Sequence, residues 1–357
     1  MKNAALILSL APMGMAFPQM MGANSRSDML NMLKETKRAE EKRGLLSNVL
    51  GTVTGDLTNV IGGLVESVAA AVNPNDKRPE PGYEFQAPGP NDSRGPCPGL
   101  NLLANYGYLP RDGYVNYEQV LDATARGFNM AADLATVLAV FAILTDGNIT
   151  TESWYIGAGP GNVGGLNRHS TVEADISPNR EDYYNACGQN HALSSYRFAQ
   201  NVKIASEGSG LFDYATMASQ WSANADFTKK NNPFVYFFPF PSIVSVAAYN
   251  FYPEFFSNGT YGAGGVPNYK SISSIIGAQY DESTGNFEYV PERWPEEGWY
   301  RRSTPYEAVQ ALTDGFTRIY PSNPVGMPIG QLGTDNLNVQ TILCDLYQGF
   351  NLSLIHI

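Results

Sequence analysis

Cys97 lies between two prolines in the run Arg94-Gly95-Pro96-Cys97-Pro98-Gly99-Leu100-Asn101, and it is one of three cysteines in the 357 residues. Proline lacks an amide donor yet suits the first turn of a helix, so Pro98 predicts a helix opening directly after the cysteine. The amides of that first turn would then point at the sulfur, and a helix N-terminus favours negative charge. Both effects lower a thiol pKa, as a thiolate that binds iron requires. A Pro-Cys-Pro triplet alone equally suits a structural cysteine in a turn. The other two cysteines, Cys187 and Cys344, can pair and leave Cys97 unpaired; the count permits this pairing without requiring it.

The string around Cys97 continues through Asn105-Tyr106-Gly107-Tyr108 to Leu109-Pro110-Arg111-Asp112-Gly113. In this extended form it resembles the signature of the secreted fungal haem-thiolate peroxidases, the chloroperoxidase and peroxygenase family. That resemblance implies a mainly α, single large helical domain with long Gly- and Pro-rich loops. It makes Cys97 the axial ligand of a haem b iron, flanked by Pro96 and Pro98. A thiolate there would push electron density onto iron and favour cleavage of the O–O bond of peroxide. Downstream, Glu173-Ala174-Asp175-Ile176-Ser177, followed by Arg180, resembles the family's Glu-x-Asp-x-Ser segment. The resemblance implies Mg²⁺ ligands in the Glu173 side chain, the Ala174 carbonyl and the Ser177 hydroxyl, with Asp175 a supporting charge. Such an oxygen-only set with few carboxylates suits that ion.

A peroxidase also needs a base to move a proton between the two peroxide oxygens. By resemblance this is a glutamate on a later helix, and Glu254, set among Phe251, Tyr252, Phe255 and Phe256, is the candidate. Apolar surroundings would raise its pKa toward neutrality. Relatives add an Arg or a His at positions that here hold Ala247 and Ala174, neither of which can stabilise a departing oxygen. His169, just before the acidic segment, is the substitute at hand. His191 reads as a helix-surface or core residue. The aromatic run at residues 234–241 reads as core, with channel lining as its second use.

These groups must be held by helices. Apolar periodicity predicts helices over residues 99–106, 116–144 with a break at Gly127, 181–206, 211–228, 242–256, 304–319 and 335–348. Strand-like alternation is scarce. Pro79, Pro81, Pro88, Pro90 and Pro96 predict an extended lead-in to Cys97.

The ends of the chain read differently from its middle. Lys2, the short apolar run at 4–11, and Gly14 and Ala16 predict a signal peptide over residues 1–16. Residues 17–80, charged and then softly apolar, read as a propeptide or N-terminal arm before a domain at 81–351. Residues 352–357 match a translated sequencing adapter, so His356 and the sequon at Asn351 carry no weight. Secretion gives meaning to the sequons at Asn91, Asn148 and Asn258.

With 43% hydrophobic residues the chain can bury a large core. A net charge of −11 argues against nucleic acid and anionic membranes as partners. Zinc-protease, phosphate-loop and nucleophile-elbow motifs are absent. The expected reaction is oxidation, oxygenation or halogenation of a small, apolar or aromatic organic substrate by hydrogen peroxide. A specialised biosynthetic oxidase with weak general peroxide activation is the first alternative, and a non-enzymatic secreted helical protein the second.

Overall fold

The computed structural model describes residues 76–325, apart from 161–163, 170, 236, 238, 239 and 297. The expected signal peptide, most of the 17–80 arm, the 335–348 helix, Cys344 and the 352–357 tail therefore lie outside the described residues.

Among those residues the fold is mainly helical. The short strand β1 (Lys77–Arg78) comes first, then α1 (Pro98–Asn105), β2 (Tyr114–Asn116), α2 (Tyr117–Phe128), α3 (Ala132–Asp146) and β3 (Ser153–Tyr155). After a long turn-rich stretch follow α4 (Ser195–Glu207), α5 (Tyr214–Asn231), α6 (Phe240–Phe255) and α7 (Tyr269–Ile276). The hairpin β4 (Ala278–Asp281) and β5 (Asn286–Tyr289), strand β6 (Trp299–Tyr300) and α8 (Ala308–Asp314) follow, and a π-helical turn (Gly315–Ile319) and a 3-10 turn (Tyr320–Ser322) complete the order. The strands form three antiparallel two-stranded ribbons: β1 with β6, β2 with β3, and β4 with β5.

Local chemistry explains the boundaries. In α2, Asn116 and Gln119 form a reciprocal capping box, a device worth about 1 kcal/mol. Ser194, Asp213 and Asn268 cap α4, α5 and α7 through their side chains. The expected long helix at 116–144 is two helices, α2 and α3, and the break falls at Asn129, not Gly127. Asn129 takes a left-handed φ of 57°, and its Nδ2 donates to the Arg302 carbonyl at 2.9 Å. Gly127 stays inside α2 for a packing reason: a Cβ there would lie 2.4 Å from a Leu103 methyl.

The expected helix at 181–206 is helical only from Ser195. Before it, positive φ at Cys187 (52°) and Gly188 (93°) ends any helical run. The α7 helix and the β4–β5 hairpin were not anticipated. Arg78 in β1 is 1% exposed and pairs opposite Trp299. The packed body thus already includes Lys77 and Arg78, residues the sequence reading had assigned to the arm.

The core centres on aromatic residues from distant segments. Phe128 packs against Phe255, Phe256, Trp294 and Trp299 with ring centroids 5.9–6.2 Å apart. Side chains of this size supply most of the apolar burial that holds such a fold. They also bring α2, α6 and the segment carrying Trp294 and Trp299 together, and Phe128, Phe255 and Phe256 line one cavity. No helix of the described residues is long and apolar enough to cross a membrane.

Candidate functional site

Cys97 is the N-cap residue of α1, with extended backbone (φ −86°, ψ 106°), and Pro98 occupies the first turn. The amides of Gly99 and Leu100 donate to its sulfur. Burial pushes the thiol up, whereas those two amides and the nearby Arg180 guanidinium pull it down. The thiol is free and faces a cavity.

The loop that presents the sulfur is tightly held. Asn101 accepts from the Gly95 amide and donates back to the Gly95 carbonyl, each at 2.9 Å. Its amide also donates to Glu292 Oε1 at 2.8 Å. The Tyr289 hydroxyl donates to Glu292 Oε2 at 2.8 Å. Arg180 Nε donates to the Pro96 carbonyl at 3.1 Å. Gly95 is needed for contact alone: a Cβ there would sit 2.1 Å from the Ile156 carbonyl oxygen. Sequence reasoning missed Asn101 and Glu292. Asn101 lay inside the quoted motif, but Glu292 is 191 residues away and carries no local signal.

The cavity behind Cys97 has an empty volume of about 1290 Å³ with its open mouth included. Its walls come from α1, α2, α3, the 172–180 loop and α6, and they are almost wholly apolar. Most of the polar exceptions lie on the 172–180 loop, where Glu173, Ser177, Asn179 and Arg180 line the cavity beside Ala174; Thr124, Ser245 and Tyr252 are others. That loop carries polar groups without hydrogen bonds. Glu173 Oε1 and both terminal nitrogens of Arg180 are buried with no hydrogen bond. Glu173 Oε2, in contrast, accepts from Asn190 at 2.6 Å and meets His169 Nδ1 at 3.0 Å. Burial raises the Glu173 pKa, with the His169 bond opposing it. Ser177 Oγ accepts from the Arg180 amide at 3.2 Å.

The remaining candidates separate from this wall. Asp175 accepts from the Tyr183 amide (3.2 Å) and from Asn232 Nδ2 (3.0 Å), so it braces the loop from behind. His169 sits behind Glu173, stacked on Tyr183 at 4.6 Å, and does not line the cavity. Burial works against its proton, but the Glu173 bond and the Asp175 charge hold its pKa above the ordinary value. His191 lies in the turn before α4, not on a helix, with Nδ1 at 3.4 Å from Asn190 Oδ1.

Glu254 is also off the wall. The cavity face of α6 is Val244, Ser245, Ala248, Phe251, Tyr252 and Phe255. At 100° per residue Glu254 falls on the other face. It is 4% exposed, ion-paired with Arg302 and accepting from the Tyr214 hydroxyl at 3.1 Å. The same phase turns Ala247 away and puts Ala248 on the wall. Of the two hydroxyl residues that α6 brings to the cavity, Ser245 donates to the 175–176 carbonyls, whereas the buried Tyr252 hydroxyl has no hydrogen-bond partner. Of the 234–241 aromatics, Phe234 is 71% exposed and Phe237 packs on Trp221 at 5.6 Å. Tyr236 and Phe238 lie outside the described residues. The aromatic walls are instead Phe128, Trp154, Phe251, Tyr252, Phe255 and Phe256.

The site thus sets a thiol at a helix N-terminus against an apolar cavity, with a buried guanidinium and an unbonded carboxylate oxygen on its wall. The chain belongs to the family described as "Peroxidase, family 2", whose model matches residues 83–304. That family is haem-dependent. The chain is 30% identical over 288 residues to an aromatic peroxidase of Fusarium equiseti, covering 75% of this chain and 65% of that protein. It is 39% identical over 133 residues to an aromatic peroxygenase of Coprinellus radians, covering 34% of this chain and 50% of that protein. A dothistromin biosynthesis peroxidase of Dothistroma septosporum is 26% identical over 336 residues, covering 88% of this chain and 72% of that protein. The chain thus spans less than two thirds of the first two relatives.

Proposed function

We propose that this chain is a haem-thiolate peroxidase that uses hydrogen peroxide to oxidise a small, apolar or aromatic organic substrate. The observation that carries this reading is the Cys97 sulfur, held under two amides of α1 and facing the apolar cavity. The residues present fit haem b. Cys97 would ligate the iron, and the apolar faces of α1, α2 and α6 would enclose the macrocycle. Arg180, whose terminal nitrogens make no hydrogen bond, would take a propionate. Glu173 Oε1, unpaired on the same wall, would hold Mg²⁺ together with Ser177 and the Ala174 carbonyl.

When bound, the haem supplies the iron at which peroxide is reduced and from which oxidising power reaches the substrate. The chain's own residues do the rest. The 95–101 loop fixes the sulfur, Arg180 and Glu173 orient the anionic edge, and the apolar walls exclude water and select apolar substrates. Proton movement at the peroxide falls to a group on the cavity wall, and Tyr252 is the unbonded hydroxyl that α6 places there.

One observation favours a narrower reading. Glu254 faces away, Ala174 and Ala248 stand on the wall, and Glu173 is the cavity's only carboxylate among the described residues. General peroxide activation is therefore weak in this reading, and the enzyme serves one biosynthetic oxidation; the Dothistroma relative is named a biosynthesis peroxidase. We further infer that the protein is secreted and glycosylated. In support, Asn91, Asn148 and Asn258 are all exposed.

The test is the carbon monoxide difference spectrum of the reduced, haem-loaded protein. A strongly red-shifted Soret band that is lost in Cys97→Ser is expected. Haem bound with an unchanged spectrum in that variant would remove Cys97 as ligand.

A further inference from the structure

Behind the cavity wall stands a row of tyrosines that this chemistry does not use. The ring of Phe255, which lines the cavity, meets Tyr306 edge-on at 5.5 Å. The Tyr306 backbone is also bridged to Met130, another lining residue. The hydroxyls of Tyr306 and Tyr214 lie 3.3 Å apart. The Tyr214 ring meets that of Tyr261 at 5.6 Å. Tyr306 is fully buried and Tyr214 nearly so, whereas Tyr261 is half-buried and reaches the surface.

Each inner phenol has its own carboxylate. Tyr306 donates to Asp314 Oδ2 at 3.0 Å, and Tyr214 donates to Glu254 Oε1 at 3.1 Å. A phenol has a single proton to give. Both protons thus already point at bases, and the two oxygens touch without exchanging one. A guanidinium lies over each ring: Arg302 over Tyr306 at 4.7 Å and Arg318 over Tyr214 at 3.5 Å. Cations there resist loss of an electron, so weak oxidants leave the pair reduced. Glu254 is buried and ion-paired with Arg302, and half-buried Asp314 is ion-paired with Arg318, so each acceptor is held in place beside its phenol.

We propose that Tyr306, Tyr214 and Tyr261 carry oxidising equivalents from the cavity to the surface, where Tyr261 oxidises phenols or aromatic amines too large to enter. Tyr306 gives one electron toward the cavity and its phenolic proton to Asp314. Tyr214 refills Tyr306 and passes its own proton to Glu254, and Tyr261 refills Tyr214, releasing its proton to solvent until the surface donor restores both electron and proton. Each carboxylate returns its proton as its phenol re-forms. The net loss is one electron and one proton from the surface donor. Two such losses convert one hydrogen peroxide into two water molecules.

The proposal rests on the peroxidase reading above, so the experiment separates the two. Haem-loaded protein with a confirmed thiolate band is mixed with hydrogen peroxide without substrate, frozen and examined by electron paramagnetic resonance. Parallel samples receive nitrosobenzene, and trapped adducts are located by peptide mass spectrometry. A tyrosyl signal and an adduct at Tyr261 are expected. Tyr306→Phe should lose both. Tyr261→Phe should keep the signal and lose the adduct. Asp314→Asn, which keeps the ring and removes the proton acceptor, should weaken the signal and covers a Tyr306 variant that fails to fold. Peroxide consumed with no tyrosyl signal, or a signal and adduct unchanged in Tyr306→Phe, would overturn the relay alone. Absence of the thiolate band would overturn the peroxidase reading and the relay with it.

Discussion

Replacing Arg180 by Met should destabilise the protein far more at neutral pH than in acid. Arg180 is 2% exposed and Glu292 is fully buried, and Nη2 of the first lies 3.9 Å from Oε1 of the second. Burial raises the Glu292 pKa and Arg180 is the leading influence that lowers it. Removing one partner of a buried pair leaves the other charge uncompensated, at a cost of about 3–5 kcal/mol. For a domain of this size that is a melting-temperature loss of roughly 6–20 °C.

The sign with pH follows from Glu292. A carboxyl whose folded pKa is raised favours the fold while protonated, and that contribution is lost as pH rises through the folded value. Without Arg180 the folded pKa rises further, so the penalty is small in acid and full at neutrality. Adding Glu292→Gln to Arg180→Met should recover most of the loss, because the orphaned charge is gone. Thermal unfolding of the haem-free protein across a pH series reads all of this. An Arg180→Met variant as stable as the parent at neutral pH, or a double variant no better than the single, would refute the reasoning.

Three further outcomes are expected. Gly95→Ala should yield little folded protein, because the added Cβ would lie 2.1 Å from a backbone oxygen that cannot move alone; normal folding would show that the loop is not so tightly held. Asp146, buried at the end of α3, is pushed up to about 6 mainly by burial, opposed by the Thr171 and Thr145 hydroxyls. A shift of about two units corresponds to roughly 3 kcal/mol. The Asp146 contribution favours the fold below pH 4 and is lost as pH rises toward 6. Asp146→Asn should therefore be more stable than the parent at pH 7 and not at pH 3, and denaturant unfolding at both pH values checks it. Glu254→Gln should lower stability by weakening the Arg302 pair and keep peroxide consumption per folded molecule; stopped-flow mixing with peroxide would return Glu254 to the cavity chemistry if the rate collapsed with stability intact.

The cysteine loop was legible in the sequence because its determinants are local. Pro96, Cys97 and Pro98 set the backbone, the next turn supplies the amides, and Asn101 closes the loop six residues from Gly95. The Glu173–Ser177 segment stood out only by resemblance; Glu173, Ala174 and Ser177 share one wall. Glu254 shows where this reading stops. Its neighbours Phe251, Tyr252 and Phe255 line the cavity, whereas Glu254 itself meets Arg302 and the Tyr214 hydroxyl. Which face of α6 a residue occupies depends on how that helix is rotated against α5 and α8, and sequence does not give that rotation. A one-residue error in phase is 100°. The break between α2 and α3 failed for a related reason. Glycine propensity pointed to Gly127, whereas tertiary packing keeps Gly127 helical and an asparagine makes the turn.

The distribution of charge explains how one small set of residues can serve both the fold and the proposed haem site. Arg180 reaches Pro96 beneath the sulfur through Nε, faces Glu292 through one terminal nitrogen, and leaves both terminal nitrogens without hydrogen bonds at the cavity. Glu173 is divided in the same way: one oxygen is held by Asn190 and His169, and the other is unpaired. In each case the held half fixes the side chain before any ligand arrives, and the free half is a buried polar atom whose desolvation has no return in the empty protein. Binding an anionic edge and a cation would satisfy both at once. The empty protein should thus be less stable than the loaded one by more than the apolar burial of the macrocycle alone, and the excess should fall when Arg180 or Glu173 is neutralised.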